Sequence, residues 1–136
     1  MNHIIIDLEN KLKQSQGNEI TYSYTLSGHD VENMNETVLP PNESDLDVRW
    51  KLVAEVKQMV TIRNKDIYFE ENYRISCLRY IIKPTDGDIN NNKIELHVFV
   101  GNQSFEKQFA YDNKTYSIIA KTIAFHFGIE VGKIHV

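Results

Sequence analysis

Five histidines (His3, His29, His97, His126 and His135) and the lone Cys77 are the side chains of this 136-residue chain best suited to metal or nucleophilic chemistry. Structural zinc sites announce themselves through ligand pairs about two to four residues apart, and these histidines form no such pair. His97 falls on the outward face of an alternating run, His126 lies beside an apolar helical stripe, and His135 sits between Ile134 and Val136. A site gathered from distant positions leaves no local signature, so no metal ligand and no cofactor is assigned from sequence. Cys77 stands in an apolar run, where burial raises a thiol pKa and suppresses its reactivity. Glu70 and Glu71 are adjacent, which places them on opposite faces of a strand rather than around one substrate. There is no nucleophile elbow, Walker loop or dinucleotide-binding glycine pattern. No catalytic residue is assigned, and the reading leans away from an enzyme.

Charge is more informative than motif. Residues 1–48 carry nine acidic and two basic side chains, residues 49–83 carry four and eight, and residues 84–136 carry six and five, so a formal net charge of −4 conceals segments of −7, +4 and −1. The acidic pole centres on Ser27 to Asp45, where Asp30, Glu32, Glu36, Glu43 and Asp45, followed by Asp47, surround Met34, Val38 and Leu39. Carboxylates supply electrostatic steering and the apolar groups supply docking area, so these nine residues are the candidate partner-binding set. The basic pole interleaves cations with aromatic rings. Arg49, Lys51, Arg74, Arg79, Tyr73 and Tyr80 form an alternative nucleic-acid-binding set, with cations on phosphates and rings stacked on bases.

Positioning these groups requires the following elements. Ile5, Leu8 and Leu12 recur at helical spacing after Ile4, and Gly17 stops that helix. Glu19 to Leu26 alternates as a strand. Ser27 to Asp45, rich in Gly, Asn, Asp and Ser and containing Pro40 and Pro41, reads as a long loop. From Leu46 to Val56 every second residue is apolar, which favours a strand over the competing helix that Leu52, Val53, Val56, Met59 and Val60 would also fit, capped by Ser44. Arg74 to Lys83 reads as a strand ending at Pro84, with a turn over Asp86-Gly87 and Asn90 to Asn92. Lys93 to Val100 and Ser104 to Tyr111 read as a hairpin around Gly101-Asn102. A helix capped by Asp112 or Asn113 follows and stops at Gly128, and Val131 to Val136 closes the chain as a short strand.

The expected fold is a single α+β domain over residues 1–136, a mainly antiparallel sheet of five to six strands packed by an N-terminal and a C-terminal helix. One cysteine excludes an internal disulfide, and Ile4 to Ile6 are too few apolar residues for a signal peptide, so the expected location is the cytoplasm with no membrane partner. A composition rich in Asn, Ile and Lys points to an AT-rich genome. The leading functional reading is a non-catalytic protein-binding module, a small prokaryotic, phage or mobile-element inhibitor or immunity-type protein that covers a basic surface of its partner through the acidic loop. The competing readings are a nucleic-acid binder using the basic and aromatic residues, and a small-molecule enzyme or carrier with a cavity near Tyr22, Tyr24 and His126. A homodimer is compatible with all three.

Overall fold

A computed structural model describes residues 2–16, 20–34, 39–62, 64–69, 74–85, 88–101 and 103–136. Among these residues four helices, α1 (Asn2–Gln14), α2 (Gly28–Glu32), α3 (Glu43–Met59) and α4 (Phe105–Phe127), accompany five strands, β1 (Thr25–Leu26), β2 (Lys65–Tyr68), β3 (Ile75–Thr85), β4 (Asp88–Val100) and β5 (Glu130–His135). The chain is α+β, and its open sheet runs in the order β1-β5-β4-β3-β2. Three of the strand pairings are antiparallel, whereas β4 and β5 are parallel. A parallel pair needs a long crossover, and α4 is that crossover, lying against both strands and against α3. Among the described residues no helix is long and apolar enough to cross a membrane.

Alternation along the strands separates two faces of the sheet. Leu78 and Tyr80 of β3, Ile94, Leu96 and Val98 of β4, and Ile134 of β5 are buried with Leu52, Val53 and Val56 of α3 and Ile119, Ala120 and Ile123 of α4. Ile4 and Leu8 of α1 join the same core. The opposite face carries Arg79, Glu95, His97 and His135, each at least partly exposed.

Several expectations from sequence are corrected. Leu46 to Val56 is helix, not strand: Asp45 accepts a hydrogen bond from the Asn42 backbone N–H (3.1 Å) in the first turn of α3, and the residues turned inward include Asp45, Arg49, Leu52, Val53 and Val56. Ser27 to Asp45 is not a continuous loop, because Ser27 and Asp30 close a capping box that starts α2 and Glu43 opens α3; reciprocal bonds of this type satisfy two orphan helix donors. Ser104 to Tyr111 is not a hairpin strand. Ser104 accepts from the Lys107 N–H (3.3 Å), Gln108 accepts from the Ser104 N–H (2.9 Å), and these bonds launch α4 two turns before Asp112. Asp112 and Asn113 therefore lie inside the helix. Of the Glu19 to Leu26 run, Glu19 lies outside the described residues, and among residues 20–26 only Thr25–Leu26 is strand, although Tyr24 extends the pairing through two backbone bonds with Val136. Asn90 to Asn92 belong to β4 rather than to a turn, and β2 matches no strand expected from sequence.

One irregularity decides which β5 side chains reach each face. Lys93 and Ile94 pair with Glu130 and Val131, but Leu96 and His97 pair with Ile134 and His135, so β5 carries one extra residue opposite Glu95. Bulges of this type re-aim the side chains that follow them. Here the shift places Ile134 beside Leu96 in the core and His135 beside His97 on the open face. Gly132 sits in the bulge, where a Cβ would meet the Ile94 carbonyl oxygen at 3.0 Å and the Lys93 Cβ at 3.2 Å.

Gly132→Ala is therefore expected to lower unfolding free energy by about 1–2 kcal/mol through overpacking. Gly101→Ala, whose new Cβ would meet nothing nearer than the Arg74 carbonyl at 3.7 Å, is expected to change it by less than about 0.5 kcal/mol. Urea denaturation of both variants checks the contrast.

Candidate functional site

The first two turns of α3 present an unusual distribution of side chains. Asp45 and Arg49 face inward, while Leu46 and Trp50 face solvent with exposures of 44% and 53%. An ordinary surface helix does the reverse. Buried charge is tolerated only when paired and hydrogen-bonded, and α4 and the residue preceding β3 provide the partners. Arg49 Nε donates to Thr115 Oγ1 (2.8 Å), its Nη2 donates to the Tyr111 carbonyl (3.0 Å), and its guanidinium lies 3.7 Å from the Tyr111 ring centroid. Burial lowers the Arg49 pKa, although nearby Tyr111 and Asp112 oppose that shift. Tyr111 returns a bond from its hydroxyl to the Asp45 carbonyl (3.2 Å).

Arg74 completes the arrangement. It forks onto Asp112 through Nε to Oδ2 (2.7 Å) and Nη2 to Oδ1 (2.6 Å), and reaches Asp45 Oδ1 through Nη1 (3.3 Å). The hydrogen bonds to Asp112, and more weakly the attraction of Asp45, outweigh burial and raise the Arg74 pKa. Gln103 Nε2 also donates to Asp112 (2.8 Å). Beside this network is a cavity of about 60 Å³, room for water but far below the roughly 300 Å³ of a small-molecule site.

The outward stripe of α3 consists of Glu43, Leu46, Asp47 and Trp50, and Leu39 just before the helix is 82% exposed. Trp50 continues into an open groove of about 900 Å³ between α3 and α4, lined also by Lys57, Ile118, Lys121, Phe125 and His126. Phe125 is 88% exposed.

The nine residues of the acidic set are thus divided. Asp30 caps α2, Asp45 is buried in the Arg74 network, and Met34 packs against the core. Glu32, Leu39, Glu43 and Asp47 are exposed. Glu36 and Val38 lie outside the described residues. Of the basic set, Arg49 and Arg74 are engaged as above, and Arg79 forks onto Asp66 (2.6 and 3.1 Å). Tyr80 is fully buried with its hydroxyl on the Ile62 carbonyl (2.8 Å). Lys51 is exposed, and Tyr73 lies outside the described residues. Tyr22, Tyr24 and His126 do not converge: Tyr22 donates to Asp7, Tyr24 donates to Asn113, and His126 lines the α3–α4 groove.

A second group gathers on the open face of the sheet. Glu95, His97 and His135 place one donor atom each within 4.8 Å of one another, the group among the described residues with metal-ligand character. Glu95 and His97 are two apart on β4 and so share a face, whereas the bulge brings His135 opposite His97. Burial and the adjacent His135 lower the His97 pKa, and Glu95 opposes them. Burial alone would raise Glu95, but hydrogen bonds and charge from Lys83 and His135 outweigh it and hold the carboxyl below its usual range. The Glu-x-His spacing was a legible half-signal; His135 was not, because its partner depends on the parallel register.

Comparison with protein-family models, curated proteins and solved structures gave no match. The site must be read from its own chemistry.

Arg74→Met is expected to cost about 2–4 kcal/mol, somewhat below the penalty for stranding a fully buried charge because Arg74 retains partial exposure. Combining it with Asp112→Asn should recover at least about 1 kcal/mol as coupling energy. Chemical denaturation of the single and double variants measures both quantities.

Proposed function

We propose that the chain is a non-catalytic protein-binding module whose docking surface is the outer stripe of α3, with Leu39, Leu46 and Trp50 as apolar anchors and Glu43 and Asp47 as the acidic rim. One observation carries this reading: α3 turns Asp45 and Arg49 inward and Leu46 and Trp50 outward. Interior stability does not require the exposed tryptophan, whereas a partner does. Tryptophan is enriched where binding energy concentrates, and polar surroundings exclude water from such anchors.

Charge along the stripe gives it polarity. Glu43 and Asp47 stand toward the N-terminal end, and Lys57 with Lys121 stand in the groove beyond Trp50. A partner presenting basic side chains to the acidic end therefore docks in one orientation, and the same field speeds encounter at low salt. An inhibitor or immunity-type role is the form this binding takes when the covered surface is the partner's active face.

The test compares wild type, Trp50→Ala and Glu43→Gln/Asp47→Asn as baits in nuclease-treated lysate of the source cells. A protein retained by wild type should be lost with Trp50→Ala, and should associate about tenfold more slowly with the charge variant at low salt than with wild type. Thermal stability of both variants should be unchanged within about 0.5 kcal/mol. Retention of the same protein by Trp50→Ala, or loss of all binding on nuclease treatment, would remove this surface from the function.

A further inference from the structure

We propose that Glu95, His97 and His135 form a binding site for a divalent transition-metal ion of the zinc class on the open face of the sheet. This inference is independent of the α3 docking surface, since the residues lie on the face of β4 and β5 opposite the buried Leu96 and Ile134.

Two imidazoles and one carboxylate are a donor set that nitrogen- and oxygen-binding divalent ions accept. Both histidine Nε2 atoms already converge on one carboxylate oxygen: Glu95 Oε1 is 2.9 Å from His135 Nε2 and 3.3 Å from His97 Nε2. In a tetrahedral site with metal–ligand bonds of about 2.0–2.1 Å the donor atoms stand roughly 3.4 Å apart. The present set lies within 4.8 Å throughout, so rotations of half-exposed side chains suffice to close it. The rings are stacked, with centroids 4.5 Å apart and planes 17° apart, which points both toward the same side of the sheet.

The support around the donors fits as well. His135 Nδ1 lies 3.1 Å from Thr25 Oγ1 on the neighbouring strand. With metal bound, the ring proton resides on Nδ1 and is donated to Thr25, leaving the Nε2 lone pair for the ion. Such a bond to the far nitrogen fixes ligand orientation. Because all three donors come from paired strands, little backbone ordering is required on binding. The open side of the site faces a concavity of about 380 Å³ lined by Ser23, Tyr24, Thr25, Phe99 and Val136, so three protein donors leave a coordination position for water or another small ligand. Two cations are nearby. Arg79 is neutralised by Asp66, and Lys83 Nζ sits 3.2 Å from Glu95 Oε1 as the competitor that an ion must displace.

The test titrates metal-free protein with Co²⁺ and then Zn²⁺. One equivalent of Co²⁺ per chain should give visible ligand-field absorption, and Zn²⁺, which binds such sites more tightly, should bleach it. His97→Ala and His135→Ala should each weaken Zn²⁺ binding by more than about a hundredfold, and Thr25→Val by about tenfold. Lys83→Gln should tighten it, while His3→Ala, His29→Ala and His126→Ala should leave it unchanged. Glu95→Gln provides a near-isosteric variant should a histidine replacement fail to fold, and histidine ring NMR of the wild type provides a readout without mutation: only His97 and His135 should shift with Zn²⁺. Absence of saturable binding, or binding that survives His97→Ala and His135→Ala, would overturn the site.

Discussion

A single guanidinium ties together three parts of this fold. Arg74, next to the start of β3, holds Asp112 two turns into α4 and Asp45 in the first turn of α3. Each of these carboxylates is buried, and a buried charge without its partner is strongly destabilising. That constraint fixes the rotation of α3 about its own axis. Once Asp45 must face Arg74, Arg49 one turn later must face Tyr111 and Thr115, and the intervening Leu46 and Trp50 have only solvent to face. The exposed apolar stripe is thus a consequence of where the polar network was placed. Leu52, Val53 and Val56 return the later turns of the helix to the core.

An equally local feature organises the other face of the sheet. With a regular ladder continuing from Ile94 and Val131, Leu96 would pair with Lys133 and His97 with Ile134. The extra β5 residue prevents this and matches the apolar and imidazole pairs instead. Burial of Ile134 supplies the driving force, since a register slip would take its side chain out of the core. The approach of His97 to His135 and Glu95 then follows from the core packing on the opposite side, and Gly132 permits the close strand contact that the bulge requires.

What could be read from the sequence follows the same division. Strong periodicity backed by apolar burial was legible: the N-terminal helix, the strands around Leu78 and Leu96, the C-terminal helix around Ile119 and Ile123, and the closing strand. Where polar groups took inward positions, the pattern misled. Leu46, Val48, Trp50, Leu52, Ala54 and Val56 mimic a strand because the first turns of α3 put Leu46 and Trp50 outward and Asp45 and Arg49 inward, an inversion that depends on Arg74, Tyr111 and Thr115, all distant in sequence. Asp112 and Asn113 resemble caps in isolation. In the folded chain they receive bonds from Arg74 and Tyr24 inside a continuous helix. The acidic segment was visible as charge, but two of its carboxylates serve helix starts, Asp30 at α2 and Asp45 at α3.

The two candidate surfaces occupy opposite sides of the sheet, yet a chain of contacts runs between them. Thr25 touches His135, the adjacent Tyr24 donates to Asn113, and the residue before it, Asp112, holds Arg74 and through it the start of α3. Contiguity of this kind is insufficient for coupling, which requires an element with two arrangements that both sites bias. In the network as built, Tyr24, Asn113, Asp112 and Arg74 each make specific bonds, and burial holds the Tyr24 hydroxyl protonated by raising its pKa. Ion binding at Glu95, His97 and His135 exchanges side-chain contacts on the open face without requiring any of those bonds to break. The proposed docking stripe and the proposed ion site are therefore independent surfaces on one scaffold, since occupying either one breaks none of the bonds that position the other.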